Sequence, residues 1–144
     1  MLRHIILVLA LSSAGASAEP IRPGKWAITS TVVDVSLPGV PGFIQRMIKG
    51  KSKAERKLVS AGQGIEALLT PDPKAHCKVE TQHVASSRYA QALSCPQKGG
   101  EPMRIVRSGT YDASGFRGEA TVAGSSRKGP VHMVLQQRAA RVSD

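Results

Sequence analysis

Few side chains in this chain are equipped for chemistry: four histidines, two cysteines and ten carboxylates. A zinc site needs four nitrogen, sulfur or oxygen ligands converging on one point. His76 and Cys77 are adjacent, and His83 falls on the same face as Cys77 of an extended segment, but no fourth ligand follows and Cys77 has a competing partner in Cys95. Nucleophilic catalysis needs a serine or cysteine beside a histidine that an acid orients. No Gly-x-Ser-x-Gly elbow occurs, and His132 is expected on the outer face of the last strand. Glu66, Glu80, Glu101 and Glu119 lack an evident second carboxylate for acid–base work. Gly62-Gln63-Gly64 lacks the glycine and lysine spacing of a phosphate loop. The sequence therefore predicts a non-enzymatic protein with no metal site and no cofactor.

Two features suggest binding instead. Arg46, Lys49, Lys51, Lys53, Arg56 and Lys57 form the densest positive charge in the chain, directly after the apolar stripe Phe43, Ile44 and Met47. A short amphipathic element of this kind can insert shallowly while its cations find anionic lipid headgroups or lipopolysaccharide phosphates. The second feature is a set of large apolar residues, Trp26, Met103, Ile105, Tyr111, Phe116 and Met133, which could line a pocket if a sheet curls around them.

The compartment in which such contacts would be made is written at the N-terminus. Met1 to His4 is short and basic, Ile5 to Leu11 is apolar but too short to span a bilayer, and Ala16-Ser17-Ala18 is a small-x-small site. This order predicts a secretory signal cleaved after Ala18, a periplasmic location and one mature domain over residues 19–144. The full chain carries 20 basic and 10 acidic side chains, and removing Arg3 leaves a net charge of +9. A strongly basic chain lingers near polyanions. Its aromatic residues make up only 3% of the chain, too few for the stacking platforms of single-stranded nucleic-acid binders, so nucleic acid is disfavoured. The mature sequence has no apolar run long enough to be a transmembrane helix. In an oxidising compartment, two cysteines predict one disulfide, Cys77–Cys95.

The elements that must hold these residues are mostly strands. Residues 24–36 are rich in Trp, Ile, Thr and Val and end at Leu37-Pro38-Gly39. Residues 43–49 show helical spacing that Gly50 stops, 54–60 suggest a strand, and Ile65, Leu68 and Leu69 suggest a short helix. From Cys77 onward the alternation is regular. A hairpin centred on Ser86 would oppose Cys77 to Cys95, Val79 to Leu93, Thr81 to Gln91 and His83 to Tyr89. Continuing the same face opposes Met103 to Cys95, Ile105 to Leu93 and Val122, and Tyr111 to Phe116 across a turn with a left-handed Gly115. A last turn over 124–129 would set Val122 against Val131 and Ala120 against Met133. Val79, Leu93, Ile105, Phe116, Val122, Val131, Met133 and Leu135 then share the core face. Arg107 also turns inward, which demands either a bulge or a cavity. The fold class is all-β: a single antiparallel meander, strongly curved or half-barrel-like, with one or two short helices in its N-terminal half.

Pro23-Gly24-Lys25-Trp26, Leu37-Pro38-Gly39-Val40-Pro41, the hairpin flanked by Cys77 and Cys95, and Ser108-Gly109-Thr110-Tyr111 follow in this order. In that set the chain resembles a family of small exported proteobacterial proteins, domain of unknown function 3617. The resemblance covers most of residues 20–142 and implies a periplasmic protein without an assigned activity. Such proteins often carry two further cysteines. Here Lys57-Leu58-Val59-Ser60 stands where the first is expected, and Arg141-Val142-Ser143-Asp144 lacks the second, so the second disulfide that the resemblance implies has lost both partners together.

Overall fold

Alternation along residues 24–36 buries Trp26, Ile28 and Val32 on one face and leaves Lys25, Thr29 and Thr31 on the other, as a strand's period of two requires. The structure, a computed structural model, describes residues 20–144; residues 1–18, where the sequence predicts a cleaved signal, lie outside the described residues. The described chain runs β1 (Gly24–Ser36), α1 (Gly42–Ile48), β2 (Ser52–Val59), α2 (Glu66–Leu69), a 3-10 turn (Pro73–Ala75), β3 (Lys78–Ala85), β4 (Arg88–Cys95), β5 (Met103–Tyr111), β6 (Gly115–Ser126) and β7 (Gly129–Ser143). The strands form one 7-stranded antiparallel sheet in the order β2-β1-β7-β6-β5-β4-β3. Strands β3 to β7 are the expected meander, and β1 slots between β7 and β2, so the two ends of the described chain pair.

The sheet is open, because its edges β2 and β3 do not pair. It is nevertheless strongly curled. In a flat sheet β2 and β4 would lie about 24 Å apart, five spacings of about 4.8 Å. Here Lys57 of β2 donates to the carbonyl of Thr70, while Gln91 of β4 donates to the carbonyl of its neighbour Leu69. The connection from β2 to β3, which carries α2, therefore crosses the inner face of the sheet from one edge to the other. Ile65, Leu68 and Leu69 from this crossing segment pack with Ile21, Trp26, Ile28, Val59, Tyr89, Tyr111 and Phe116 to make the core. Tyr89 meets Phe116 edge-on at 5.3 Å. Its ring reaches across Gly109 and Gly118, where any Cβ would collide with the Tyr89 hydroxyl.

Three local expectations need correction. The β3–β4 hairpin keeps Lys78 opposite Ser94 and Val79 opposite Leu93, but a bulge at Glu80 then shifts the register by one. Thr81 and His83 consequently face Ala92 and Ala90, while Gln82 and Val84 turn inward toward Gln91 and Tyr89. The turn is the two-residue pair Ser86-Ser87, with φ of 52° and 62°, as a tight hairpin matching strand twist requires. Across β6 and β7, Val122 faces Met133 and Ala120 faces Leu135, two residues from the expected register. A slip of two preserves the inward face, so the hydrophobic pattern alone does not detect it. Finally, Gly115 is not left-handed; the carboxylate of Asp112 makes that turn by accepting from the Ser114 and Gly115 amides at 2.7 and 2.9 Å.

The remaining pairings agree with the sequence reading: Cys95 with Met103, Leu93 with Ile105, Ile105 with Val122 and Tyr111 with Phe116. The Cys77–Cys95 disulfide is formed, with an S–S distance of 2.04 Å. Arg141 fastens the end of β7 by donating from Nε to the Pro23 carbonyl at 2.7 Å and by pairing with Asp144.

Candidate functional site

A seven-residue helix is too short to persist on its own propensity. Tertiary hydrogen bonds hold α1 in place. Gln45 donates from Nε2 to the carbonyls of Leu37 and Val40 at 3.0 and 2.8 Å, and its Oε1 accepts from the Leu37 amide at 3.1 Å. Just beyond the helix, Gly50 donates its amide to the Val32 carbonyl at 2.7 Å, and Val32 donates back to Lys51 at 2.9 Å. The polar side of α1 is thus spent on anchoring, and its apolar side is left to solvent. Phe43 is 59% exposed, Met47 63% and Ile44 37%, while Ile48 is half-buried. Arg46 on the helix and Lys49 at its C-cap are exposed, as are Lys51, just before β2, and Lys53, within it.

The rest of the basic segment divides between the two faces of β2. Arg56 and Leu58 face outward. Lys57 turns inward, bonds the Thr70 carbonyl and lies 3.9 Å from Glu55. Burial holds its ammonium below the usual lysine range; Arg107 adds to that effect, and Glu55 and Asp72 oppose it. Lys57 therefore latches the crossing segment, and the exposed basic surface consists of the other cations.

Arg107, which the sequence pattern turned inward, is the centre of the same latch. No bulge accommodates it, since β5 keeps a regular register with β4 and β6 at this position; protein acceptors take up its head instead. Its Nε donates to Gln91 Oε1 and its Nη2 to the Leu69 carbonyl, which also accepts from Gln91 Nε2 at 2.9 Å. Gln91 is only 2% exposed and donates as well to Gln82 Oε1 at 2.7 Å. Burial pushes the guanidinium's pKa below its usual value, with Tyr89 and Glu55 acting in the opposite sense. Burial also pushes the Tyr89 phenol up to about 12, against the pull of Arg107.

The six residues read as pocket lining separate into two groups. Trp26, Tyr111 and Phe116 are buried beneath the crossing segment and fill the core. Met103, Ile105 and Met133 are half-buried and lie outside that core cluster. None of the six lines the cleft of about 700 Å³ that has a floor of Ile28, Val32 and Leu135 and a rim that includes Lys51, Lys53, Glu55 and Asp72. Val32 and Leu135 face each other across β1 and β7. Sequence reasoning did not bring the two together, because the pairing of the first strand with the last is non-local. Gln91 was legible as a polar residue at an inward register position but carried no signal of its role.

Cys77 is committed to its disulfide, and His76, His83 and His132 are exposed on separate segments. Among the described residues, no group of three or more His, Cys, Asp or Glu side chains is placed to hold a metal ion. No helix among them is long and apolar enough to cross a membrane. No curated protein and no solved structure matches the chain. One family model does match, over residues 21–144, and its description is "Protein of unknown function (DUF3617)". That span takes in every strand and both helices described above, and the chain belongs to this family.

Proposed function

We propose that this protein is a non-enzymatic binder of anionic amphiphiles of the cell envelope, acting in the periplasm and docking through α1 and the cations that follow it. One observation carries the reading: Phe43, Ile44 and Met47 stand exposed on a helix whose polar contacts are already used, beside Arg46, Lys49, Lys51 and Lys53. An exposed apolar patch rimmed by like charge is costly to keep in water and suits an interface that is itself apolar below and anionic above. Inserting Phe43, Met47 and Ile44 contributes about 3 kcal/mol from the area still exposed, and each lysine or arginine near an anionic surface about 1 kcal/mol before screening. Together these give roughly −6 kcal/mol, an affinity of tens of micromolar.

Flotation of the disulfide-bonded protein with vesicles tests this. Phosphatidylglycerol vesicles should carry the protein up at low salt, phosphatidylcholine vesicles should not, and binding should weaken as ionic strength rises. Absence of binding to the anionic vesicles, or equal binding to both, would overturn the proposal.

The cleft favours a second reading, a carrier of a small apolar ligand. Its apolar floor of Ile28, Val32 and Leu135 supports this reading, and the rim lysines Lys51 and Lys53 are matched in charge by Glu55 and Asp72. Native mass spectrometry of the protein purified from cells checks this reading, which expects a bound species of lipid mass.

A further inference from the structure

The outer face of the sheet carries a second arrangement that the α1 surface does not use. Arg117 of β6 and Arg138 of β7 are directly opposed across the strands. Like charges in that position repel, and sheets ordinarily separate them or compensate them with a carboxylate. Among the described residues the ion pairs are Lys57–Glu55 and Arg141–Asp144, so neither Arg117 nor Arg138 has an acidic partner within 4.0 Å. Both line a depression of about 740 Å³ in the outer face. The neighbouring cross-strand row is of a different character: Thr31, Gln136, Glu119 and Ser108 follow one another across β1, β7, β6 and β5. They line the same depression. Two residues along a strand separate the rows by about 7 Å.

From this juxtaposition we infer that the depression is a binding site for a phosphorylated saccharide. The opposed guanidiniums are a fork-like donor set for a phosphate, which arginine binds in bidentate fashion. The second row supplies carboxylate, amide and hydroxyl groups that accept from and donate to sugar hydroxyls. A phosphate bound between Arg117 and Arg138 places an attached hexose ring over that row. Glu119 would repel a bare anion, so the site selects a ligand that brings hydroxyl donors with its phosphate. The same chemistry exists in a free sugar phosphate and in the phosphorylated glycan of the outer envelope.

Chemical-shift titration of the full disulfide-bonded protein tests the site. The probes are glucose 6-phosphate, deacylated lipopolysaccharide, glucose and inorganic phosphate. Either phosphorylated saccharide should shift amides around Thr31, Ser108, Arg117, Gln136 and Arg138 saturably. Glucose and inorganic phosphate alone should bind at least tenfold more weakly. The tighter of the two phosphorylated probes identifies the source. R117Q/R138Q should abolish the shifts while keeping a dispersed spectrum, and F43S/M47S should leave them intact, which separates this site from the α1 surface. No saturable shift, shifts located elsewhere, or equal binding of inorganic phosphate would overturn the inference.

Discussion

Replacing Arg107 by methionine should cost about 2–3 kcal/mol of stability. Methionine keeps most of the aliphatic stem and removes the head, which donates to Gln91 Oε1 and to the Leu69 carbonyl. Hydrogen bonds from a charged donor are worth about 1.5–3 kcal/mol each, so the gross loss is roughly 3–6 kcal/mol. Two effects reduce it. The buried guanidinium is held at a desolvation cost, visible in its lowered pKa, and that cost disappears with the charge. The Leu69 carbonyl also retains its bond from Gln91 Nε2 at 2.9 Å. What remains uncompensated is the Oε1 of a nearly fully buried glutamine. Urea denaturation of the disulfide-bonded protein measures the effect, and a chain of this size should lose roughly 10 °C in melting temperature. A cycle with Gln91→Leu sharpens the test, because two residues in one hydrogen-bond network should couple by about 1–2 kcal/mol. A stability change under about 0.5 kcal/mol for Arg107→Met, or strict additivity with Gln91→Leu, would refute the latch as described.

Other consequences are equally direct. The Tyr89 hydroxyl is buried with no hydrogen-bond partner among the described residues, so Tyr89→Phe should be neutral or stabilising by up to about 1 kcal/mol in the same denaturation assay. Its phenol is raised to about 12 in the fold, against an ordinary tyrosine value of 10.0. The unfolded chain therefore loses this proton first, and the Tyr89 contribution to stability falls as pH rises between those values; Tyr89→Phe should flatten that fall in alkaline unfolding curves. Cys77 and Cys95 lie 18 residues apart, and replacing both by alanine should remove about 3 kcal/mol, read as a lower urea midpoint that reductant no longer changes. Converting Ser86-Ser87 to Asn-Gly puts residues suited to positive φ where the backbone already adopts it, and should stabilise the protein by about 1 kcal/mol.

The local part of the fold was legible because a strand's period of two leaves a strong trace. Alternation gives the inward set Leu93, Ile105, Phe116 and Val122, and with turns at 96–102 and 112–115 it yields the β4–β5 and β5–β6 registers. Alternation does not count residues in a turn, which is why the two-residue slip between β6 and β7 was invisible. Nor does it reveal a bulge, and Glu80 reversed the faces of Thr81 and His83 without breaking any hydrophobic run. The non-local features left no trace in composition. The path of α2 across the inner face depends on carbonyls at Leu69 and Thr70, whose partners Lys57, Gln91 and Arg107 lie 13 to 38 residues away. In sequence Lys57 is one more cation in a basic run; only the fold turns its side chain inward. The stripe Phe43, Ile44 and Met47 was legible as an amphipathic turn, but its exposure was not, because that follows from Gln45 anchoring the opposite side.

Phe43→Trp offers the most direct test of the central proposal. Native Trp26 is fully buried, so its emission should not respond to a surface, while a tryptophan at position 43 would begin in water. On addition of phosphatidylglycerol vesicles the new emission should shift to the blue, and salt should reverse the shift. With phosphatidylcholine vesicles it should stay unchanged. Adding Met47→Ser should weaken vesicle binding by roughly fivefold, the loss of about 1 kcal/mol of inserted apolar surface. A tryptophan at position 43 that remains water-exposed on saturating anionic vesicles would contradict the account.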